Sequence, residues 1–124
     1  MPSSSPRALV VKITCGAEAP ERLNQGLTVA ATALAAGAEV SLWLTGEASW
    51  LAVPGRAQTL ALEHAAPAVD LLDAVIGGGR VTLCGQCAAR RGLAGEALLE
   101  GIEIRGAVSF VEEILRDGVL ALVY

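Results

Sequence analysis

The sequence predicts a single α/β domain with a mostly parallel sheet of about five strands. Short apolar runs alternate along the chain with segments in which apolar residues recur at helical spacing, and this alternation is typical of a parallel sheet covered on both faces. The 124 residues are 53% hydrophobic, which is enough to fill one core, and only 3% aromatic. Alanine, leucine, valine and glycine must therefore fill the interior, which suits close packing of helices on a sheet.

Each predicted element rests on a local pattern. A strand is predicted where β-branched and aliphatic residues run together, a helix where apolar residues recur every three or four positions, and an end where Gly or Pro follows. Gly37 fits the C-cap of the first long helix, and Gly77-Gly78-Gly79 end the second. The predicted strands are 8–14, 39–44, 80–83, 103–105 and 118–123; helices are predicted from Pro20 to Gly37, around 48–51, from Pro67 to 76 and at 108–115; residues 56–66 are a connection, and residues 1–7 are a disordered tail before the domain at 8–124.

Charge and segment composition exclude several classes of function. The net charge of −4 and a pI near 4.9 argue against binding to a nucleic-acid backbone, which needs clustered positive charge. No apolar run approaches the roughly 18 residues of a membrane span, and the first residues lack the pattern of a secretory signal. We therefore expect a cytoplasmic protein without nucleic-acid or membrane partners. Three cysteines cannot all pair within one chain, so thiols rather than a disulfide framework are expected.

Three of the predicted strands end in loops that carry small or reactive residues. In an open parallel sheet the ligand crevice lies beyond the carboxyl ends of the strands. We therefore expect Cys15-Gly16, Thr45-Gly46-Glu47 and the turn that begins at Cys84 to meet at one edge of the sheet. This placement follows from topology alone.

The turn Cys84-Gly-Gln-Cys87-Ala-Ala-Arg90-Arg91 has the composition of a reactive-thiol site. Cys84 is placed where a strand ends and Cys87 in the first turn of the following helix, and a helix start with nearby cations favours the thiolate, which is the reactive form. Arg90 and Arg91 follow Cys87 by three and four residues, which places them on its side of that helix. Such chemistry requires no metal and no organic cofactor.

Simpler interpretations remain open for the same residues, whereas other kinds of site fit the sequence less well. Cys84 can be a small buried hydrophobe, Cys15 a filler beside Gly16, Glu47 a first-turn helix carboxylate, and His64 a surface residue. A thioredoxin-like site needs a proline from a later loop, but every proline here precedes Cys84. A structural zinc site needs about four ligands, and a phosphate loop follows a strand, whereas the three glycines at 77–79 precede one.

Several motifs together resemble the DsrE/DsrF-like family with the YchN-like fold. The resemblance runs nearly end to end, and its most specific part is the spacing from Cys84 to the Arg-Arg-Gly sequence. The motifs that carry it are Thr14-Cys-Gly-Ala-Glu, the Ala-rich helix that ends at Gly37, the strand Val40 to Gly46, the turn Leu83 to Gly92, and the closing segments 101–104, 110–115 and 119–123.

The resemblance implies a three-layer α/β/α domain that assembles into homo-oligomers, trimers or hexamers. In sulfur-relay members such as DsrE and TusD, a strand-end cysteine six residues before an arginine carries a persulfide, and Cys84 matches that position. The implied chemistry is attack by the Cys84 thiolate on a donor's sulfane sulfur and release of that sulfur to an acceptor thiol, with sulfur donor and acceptor proteins as partners. Cys87 could resolve the persulfide by forming a disulfide and expelling sulfide. The alternative is a non-catalytic, homo-oligomeric module that binds a small molecule or anion.

These inferences define the candidate site. Its two catalytic residues are Cys84 and Cys87, and no residue is assigned to a metal. The large apolar fraction of a short chain also predicts association with further copies, because such chains expose more apolar surface than a lone domain usually does. The candidate binding residues are Cys15, Gly16, Thr45, Gly46, Gly85, Gln86, Arg90 and Arg91.

Overall fold

A parallel sheet forms the centre of the molecule in a computed structural model that describes residues 7–124. The sheet has five strands within these residues, in the order β4-β3-β2-β1-β5, and each neighbouring pair is parallel. The strands are β1 Ala8–Ile13, β2 Glu39–Leu44, β3 Arg80–Cys84, β4 Ile102–Arg105 and β5 Val119–Val123; the helices are α1 Pro20–Ala35, α2 Ala68–Gly78, α3 Gly85–Arg90 and α4 Ala107–Ile114, with 3₁₀ helices at Gly46–Ala52 and Ala57–Thr59.

One face of the sheet is apolar and is covered by α1 and α2. Alternate strand residues point toward these helices, because successive side chains of a strand lie on opposite faces. Leu27 of α1 and Leu72 of α2 are fully buried against them. Burying one such side chain contributes roughly 1.5–3 kcal/mol to the free energy of unfolding. Most of the buried apolar side chains lie in this layer. The strand residues in it are Val11, Ile13, Val40, Leu42, Leu44, Val81 and Leu83.

The opposite face is covered by α4 and is more polar. Trp43 of β2 is buried there and meets Phe110 of α4 edge to face, with the ring centroids 5.3 Å apart. The buried Glu113 of α4 accepts hydrogen bonds from Ser41 and Trp43 of the strand below. Helices thus lie on both faces, in the three-layer arrangement that the sequence predicts.

Several large apolar residues of α4 and its C-cap lie on the side of the helix that faces away from the sheet. Val108 and Leu115 are 74% and 75% exposed. The apolar spacing at 108–115 predicts the helix, but the stripe that it forms does not face the core of this chain. The reason is that the sheet presents Trp43 and polar groups here, so the helix turns Phe110 and Glu113 inward instead.

The predicted boundaries agree with the structure to within a few residues. The short helix after β2 is of the 3₁₀ type, and the connection 56–66 contains one 3₁₀ turn. Of the predicted tail 1–7, residues 1–6 lie outside the described part. Arg7 is described, and its carbonyl oxygen accepts a hydrogen bond from the Glu39 N–H at 2.8 Å. Within residues 7–124, no helix is both long and apolar enough to cross a membrane.

Candidate functional site

The loops after β1 and β2 touch each other at the carboxyl edge of the sheet. The Thr45 hydroxyl donates a hydrogen bond to the Ile13 carbonyl oxygen at 3.0 Å. A Cβ atom on Gly16 would lie 2.6 Å from the Glu47 carbonyl oxygen. Gly46 has a φ of +51°, and a Cβ atom there would overlap the Thr14 carbonyl oxygen. Glycine is therefore required at both positions for the two backbones to approach this closely.

The two cysteines of the turn after β3 differ in exposure. Cys84 is the last residue of β3, precedes α3 as its N-cap and is partly exposed. Cys87 lies in the first turn of α3, as the sequence predicts, and is only 9% exposed. Both are free thiols, as is Cys15. Cys84 is thus the thiol that a protein partner can reach, whereas Cys87 lies behind it.

The sulfur of Cys87 is held by the loop after β2. The Gly46 N–H donates a hydrogen bond to the Cys87 Sγ at 3.2 Å. Burial alone raises the pKa of this thiol, but hydrogen bonds from the Gly46 N–H and the Cys84 side chain and the charges of Arg91 and Arg90 outweigh it, so the pKa is lowered. Cys87 therefore has the environment of a stabilised thiolate.

An ion pair links the same loop to the end of α3. The Arg91 Nε donates to the Glu47 Oε2 at 2.9 Å, and the Arg91 Nη1 donates to the Cys87 carbonyl oxygen at 3.2 Å. The Trp50 Nε1 also donates to the Glu47 Oε2, at 3.3 Å, and the Arg56 guanidinium stacks on the Trp50 ring. Arg91 is thus committed to contacts within the chain, whereas the Arg90 side chain is exposed.

The remaining predicted residues divide between the site edge and the core. Gly85 is partly exposed and Gln86 exposed, next to the two cysteines. Cys15 packs in the apolar core at 5% exposure, and burial together with the Glu18 charge raises the pKa of its thiol. Its environment therefore favours the neutral thiol and the filler interpretation.

Sequence reasoning left two residues out of the site. The sequence interpretation takes Glu47 as a first-turn helix carboxylate and assigns Trp50 no role at the site. The rule that places strand-end loops together does bring Glu47 to this edge, but it does not assign the side chain a role. Nothing in the sequence indicates that the Trp50 side chain would donate a hydrogen bond to the Glu47 carboxylate.

Two of the cavities in the described part of the chain adjoin elements named above. One of about 230 Å³ adjoins the Glu47 loop and is lined by Gly16, Trp50, Arg56 and Thr59 among others. A larger one, of about 530 Å³, lies at the opposite end of the strands beneath α4. Among the described residues, no three His, Cys, Asp or Glu side chains come together in a way that could hold a metal ion.

The fold and this edge define a class of protein: a parallel α/β domain with a pair of free cysteines where a central strand ends. The chain belongs to the DsrE/DsrF-like family, whose sequence model matches residues 8–121. No curated protein matches it in sequence.

Solved structures support the same fold. The chain is similar to the YchN protein from E. coli, with 20% identity over 94% of this chain and 99% of that chain and a TM-score of 0.75. It is also similar to MTH1491 from Methanobacterium thermoautotrophicum, a protein of unknown function, with 14% identity over 95% and 99% of the two chains and a TM-score of 0.70. At these identities the similarity shows the fold alone.

Proposed function

We propose that the protein is a sulfur carrier that takes up sulfane sulfur as a persulfide on Cys84. The observation that supports this most directly is the asymmetric pair of thiols at the strand end: Cys84 is partly exposed, and Cys87 is buried behind it with its sulfur held by the Gly46 N–H. Membership of the DsrE/DsrF-like family is consistent with this chemistry.

Uptake of sulfur is a displacement at the donor's outer sulfur. The Cys84 thiolate attacks the terminal sulfur of a donor persulfide, R–S–SH, and forms a bond to it while the S–S bond of the donor breaks. The donor leaves as the thiolate RS⁻, and Cys84 carries the –S–SH group. An acceptor thiolate can then attack the terminal sulfur and regenerate the Cys84 thiolate. No change in the oxidation state of the protein is needed for this transfer.

Cys87 provides a second exit for the sulfur. Its thiolate attacks the Cys84 Sγ of the persulfide, the bond from Sγ to the terminal sulfur breaks, and HS⁻ leaves. The terminal sulfur is reduced to sulfide, and the two cysteines are oxidised to a disulfide. A dithiol reductant must then restore both thiols. The lowered pKa of Cys87 raises the fraction of thiolate that is available for this attack.

Mass spectrometry of the protein after incubation with glutathione persulfide tests the proposal. We expect one added sulfur atom on Cys84, no adduct in Cys84→Ser, and a longer-lived adduct in Cys87→Ser because the resolving thiol is missing. Cys15→Ala is the matched control and should behave like the wild type. An adduct that survives Cys84→Ser, or none on the wild type, contradicts the assignment.

A non-catalytic binding module for a small molecule or anion is the second candidate. This function is favoured by the cavity of about 230 Å³ beside the loop after β2, because Arg56 is one of the residues that line it. Thiosulfate binding to the Cys84→Ser/Cys87→Ser double variant, measured by calorimetry, would support this function. Loss of that binding in Arg56→Gln would locate it, and no heat of binding to the double variant would eliminate it.

We also propose that the protein works as a homo-oligomer, a trimer or hexamer. The side chains that support this lie on α4 and on the edge strand β5, where apolar groups face outward: Val108, Val111, Leu115, Leu120, Leu122 and Val123 are 42–75% exposed. A monomeric domain seldom exposes this many large apolar side chains on neighbouring elements. Sulfur donor and acceptor proteins would then meet the exposed Cys84 at the carboxyl edge.

A further inference from the structure

The group that stabilises the Cys87 sulfur comes from a distant part of the chain. The donor, the Gly46 N–H, is 41 residues away in sequence and lies in another loop. A hydrogen bond between two separate elements depends on how firmly each is held, because a shift of a fraction of an ångström weakens it. What fixes these two elements relative to each other therefore also determines how well Cys87 is stabilised as an anion.

The loop that supplies the donor is fixed to β1 by backbone contacts. The Thr45 N–H and hydroxyl both donate to the Ile13 carbonyl oxygen, at 3.0 Å each. Gly46 itself has a φ of +51°, which glycine tolerates, and its backbone passes close to the Thr14 carbonyl oxygen. The Gly46 N–H consequently has a defined direction, toward α3.

The other end of the contact is fixed by a side-chain pair. Glu47 follows Gly46 directly and binds Arg91, which also donates to the carbonyl oxygen of Cys87. The ion pair therefore spans the same gap as the hydrogen bond from Gly46 to Cys87 and runs beside it. It also keeps the Arg91 guanidinium close to the sulfur, where its positive charge favours the thiolate.

We propose that Glu47 is a positioning residue for Cys87: by pairing with Arg91 it locks α3 against the loop, so that the Gly46 N–H and the Arg91 charge both act on the sulfur. This deepens the proposed function and rests on it, because it assigns the residues that prepare the resolving thiolate. Glu47 itself transfers no sulfur. Its carboxylate acts through the two groups that it holds in place.

The proposal predicts that loss of Glu47 shifts the ionisation of Cys87 in the direction opposite to the one expected from direct charge repulsion. The charged and titratable groups around Cys87 are Arg90 and Arg91 of its own helix segment, the Cys84 thiol at the strand end, and Glu47 of the neighbouring loop. A nearby carboxylate by direct repulsion disfavours a thiolate, so removal of its charge alone would make Cys87 ionise at lower pH. Positioning predicts the opposite, that loss of Glu47 makes Cys87 ionise at higher pH.

The test measures the pH dependence of alkylation of Cys87 in a protein with no other cysteine. Cys15→Ala and Cys84→Ser provide that background, and serine keeps a hydrogen-bond donor at position 84. Iodoacetamide reacts with the thiolate, so the midpoint of its rate against pH reports ionisation. We expect E47Q to move the midpoint to higher pH and to slow alkylation at pH 7 by about threefold, the size of one partly exposed ion pair.

Further variants complete the experiment. R91Q should move the midpoint in the same direction, and adding E47Q to it should have no further effect, because the two residues act as one unit. R90Q is the matched control, since it removes a neighbouring charge but leaves the ion pair intact, and it should give a smaller shift. Circular dichroism identifies any variant that does not fold, and E47D then replaces E47Q as a partial loss of the same contact.

A midpoint that moves to lower pH in E47Q, or that does not move, overturns the positioning role. The outcome is independent of sulfur transfer, because alkylation involves no sulfane donor. A shifted midpoint without any persulfide adduct would reject the proposed function and leave the positioning role in place. An adduct on Cys84 with an unmoved midpoint would do the reverse.

Discussion

The carboxyl edge of the sheet and the α4 layer are held together by different forces. At the edge, Gly16 and Gly46 bring two backbones into direct contact, and no charge is needed for that contact. In the α4 layer, one buried carboxylate collects the polar groups of the sheet: Glu113 accepts hydrogen bonds from Ser41, Trp43 and Arg105, the last at 2.6 Å. The contact between the loops after β1 and β2 therefore depends on steric fit, whereas the α4 layer depends on the ionisation of one side chain.

This difference determines how each region responds to solution conditions. A steric contact between backbones does not change with pH or salt, which suits a site that must hold a sulfur atom in a fixed place. A buried ion cluster weakens when its carboxylate is protonated. The α4 layer should therefore loosen under conditions that leave the contact between the loops after β1 and β2 intact.

The largest expected effect is at the edge. Gly46→Ala introduces a Cβ at a positive φ and against the Thr14 carbonyl oxygen, and should lower the free energy of unfolding by about 3–4 kcal/mol. Gly55→Ala is the control: Gly55 has a φ of +88°, but a Cβ there meets no atom of residues 7–124 within 4 Å. It should cost about 1–2 kcal/mol, the conformational part alone. Urea denaturation measures both, and equal losses would disprove the steric account.

The next effect is in the α4 layer. Glu113→Gln removes the charge that faces Arg105 and should lower the free energy of unfolding by about 3 kcal/mol, since the guanidinium is left partly buried without its counterion. Glu112→Gln, on the exposed side of the same helix, is the matched control and should stay within about 0.5 kcal/mol of the wild type. A Glu113→Gln variant as stable as this control would show that the cluster does not hold α4.

Acidification should destabilise the α4 layer, because it protonates Glu113. Burial by itself raises the pKa of Glu113, but the hydrogen bonds from Ser41, Trp43 and Arg105 and the Arg105 charge outweigh it, so the pKa lies below its ordinary value of 4.5. The carboxylate therefore stabilises the fold above pH 4.5, and this contribution is lost as the pH falls through the lower, folded-state value. The advantage of the wild type over Glu113→Gln should shrink over that range.

Tryptophan fluorescence can follow this change locally. Trp43 lies in the α4 layer and Trp50 beside the cysteine edge. In a Trp50→Phe variant, the remaining emission should shift to longer wavelength on acidification before the far-ultraviolet circular dichroism changes. Simultaneous loss of both signals would mean that the two regions unfold as one unit.

The smallest effect on the fold is expected at the outer surface of α4. Val108→Glu and Leu115→Glu change exposed positions, so circular dichroism should remain that of the wild type. If this surface joins copies of the chain, light scattering should show a molar mass that falls toward the 12.6 kDa of one chain. A wild type that already scatters as 12.6 kDa would remove the oligomer from the proposal.

The sequence was sufficient for the fold class, the element order and the meeting of three loops at one edge. These depend on local patterns and on the geometry of parallel sheets: the apolar runs at 8–13 and 39–44 form strands, and the cysteine turn follows a third strand. The apolar spacing of α4 predicted the helix but not which side of it faces the sheet, because periodicity identifies a stripe but does not say whether the sheet below is apolar.

The tertiary structure alone decided how the two cysteines differ. Cys84 and Cys87 are three residues apart in a short motif, and nothing in that motif says which sulfur is buried. The distinction arises because the Gly46 N–H, brought in by a separate loop, lies 3.2 Å from one of them. Contacts between elements far apart in sequence depend on the packed positions of both backbones, and local residue patterns do not contain those positions.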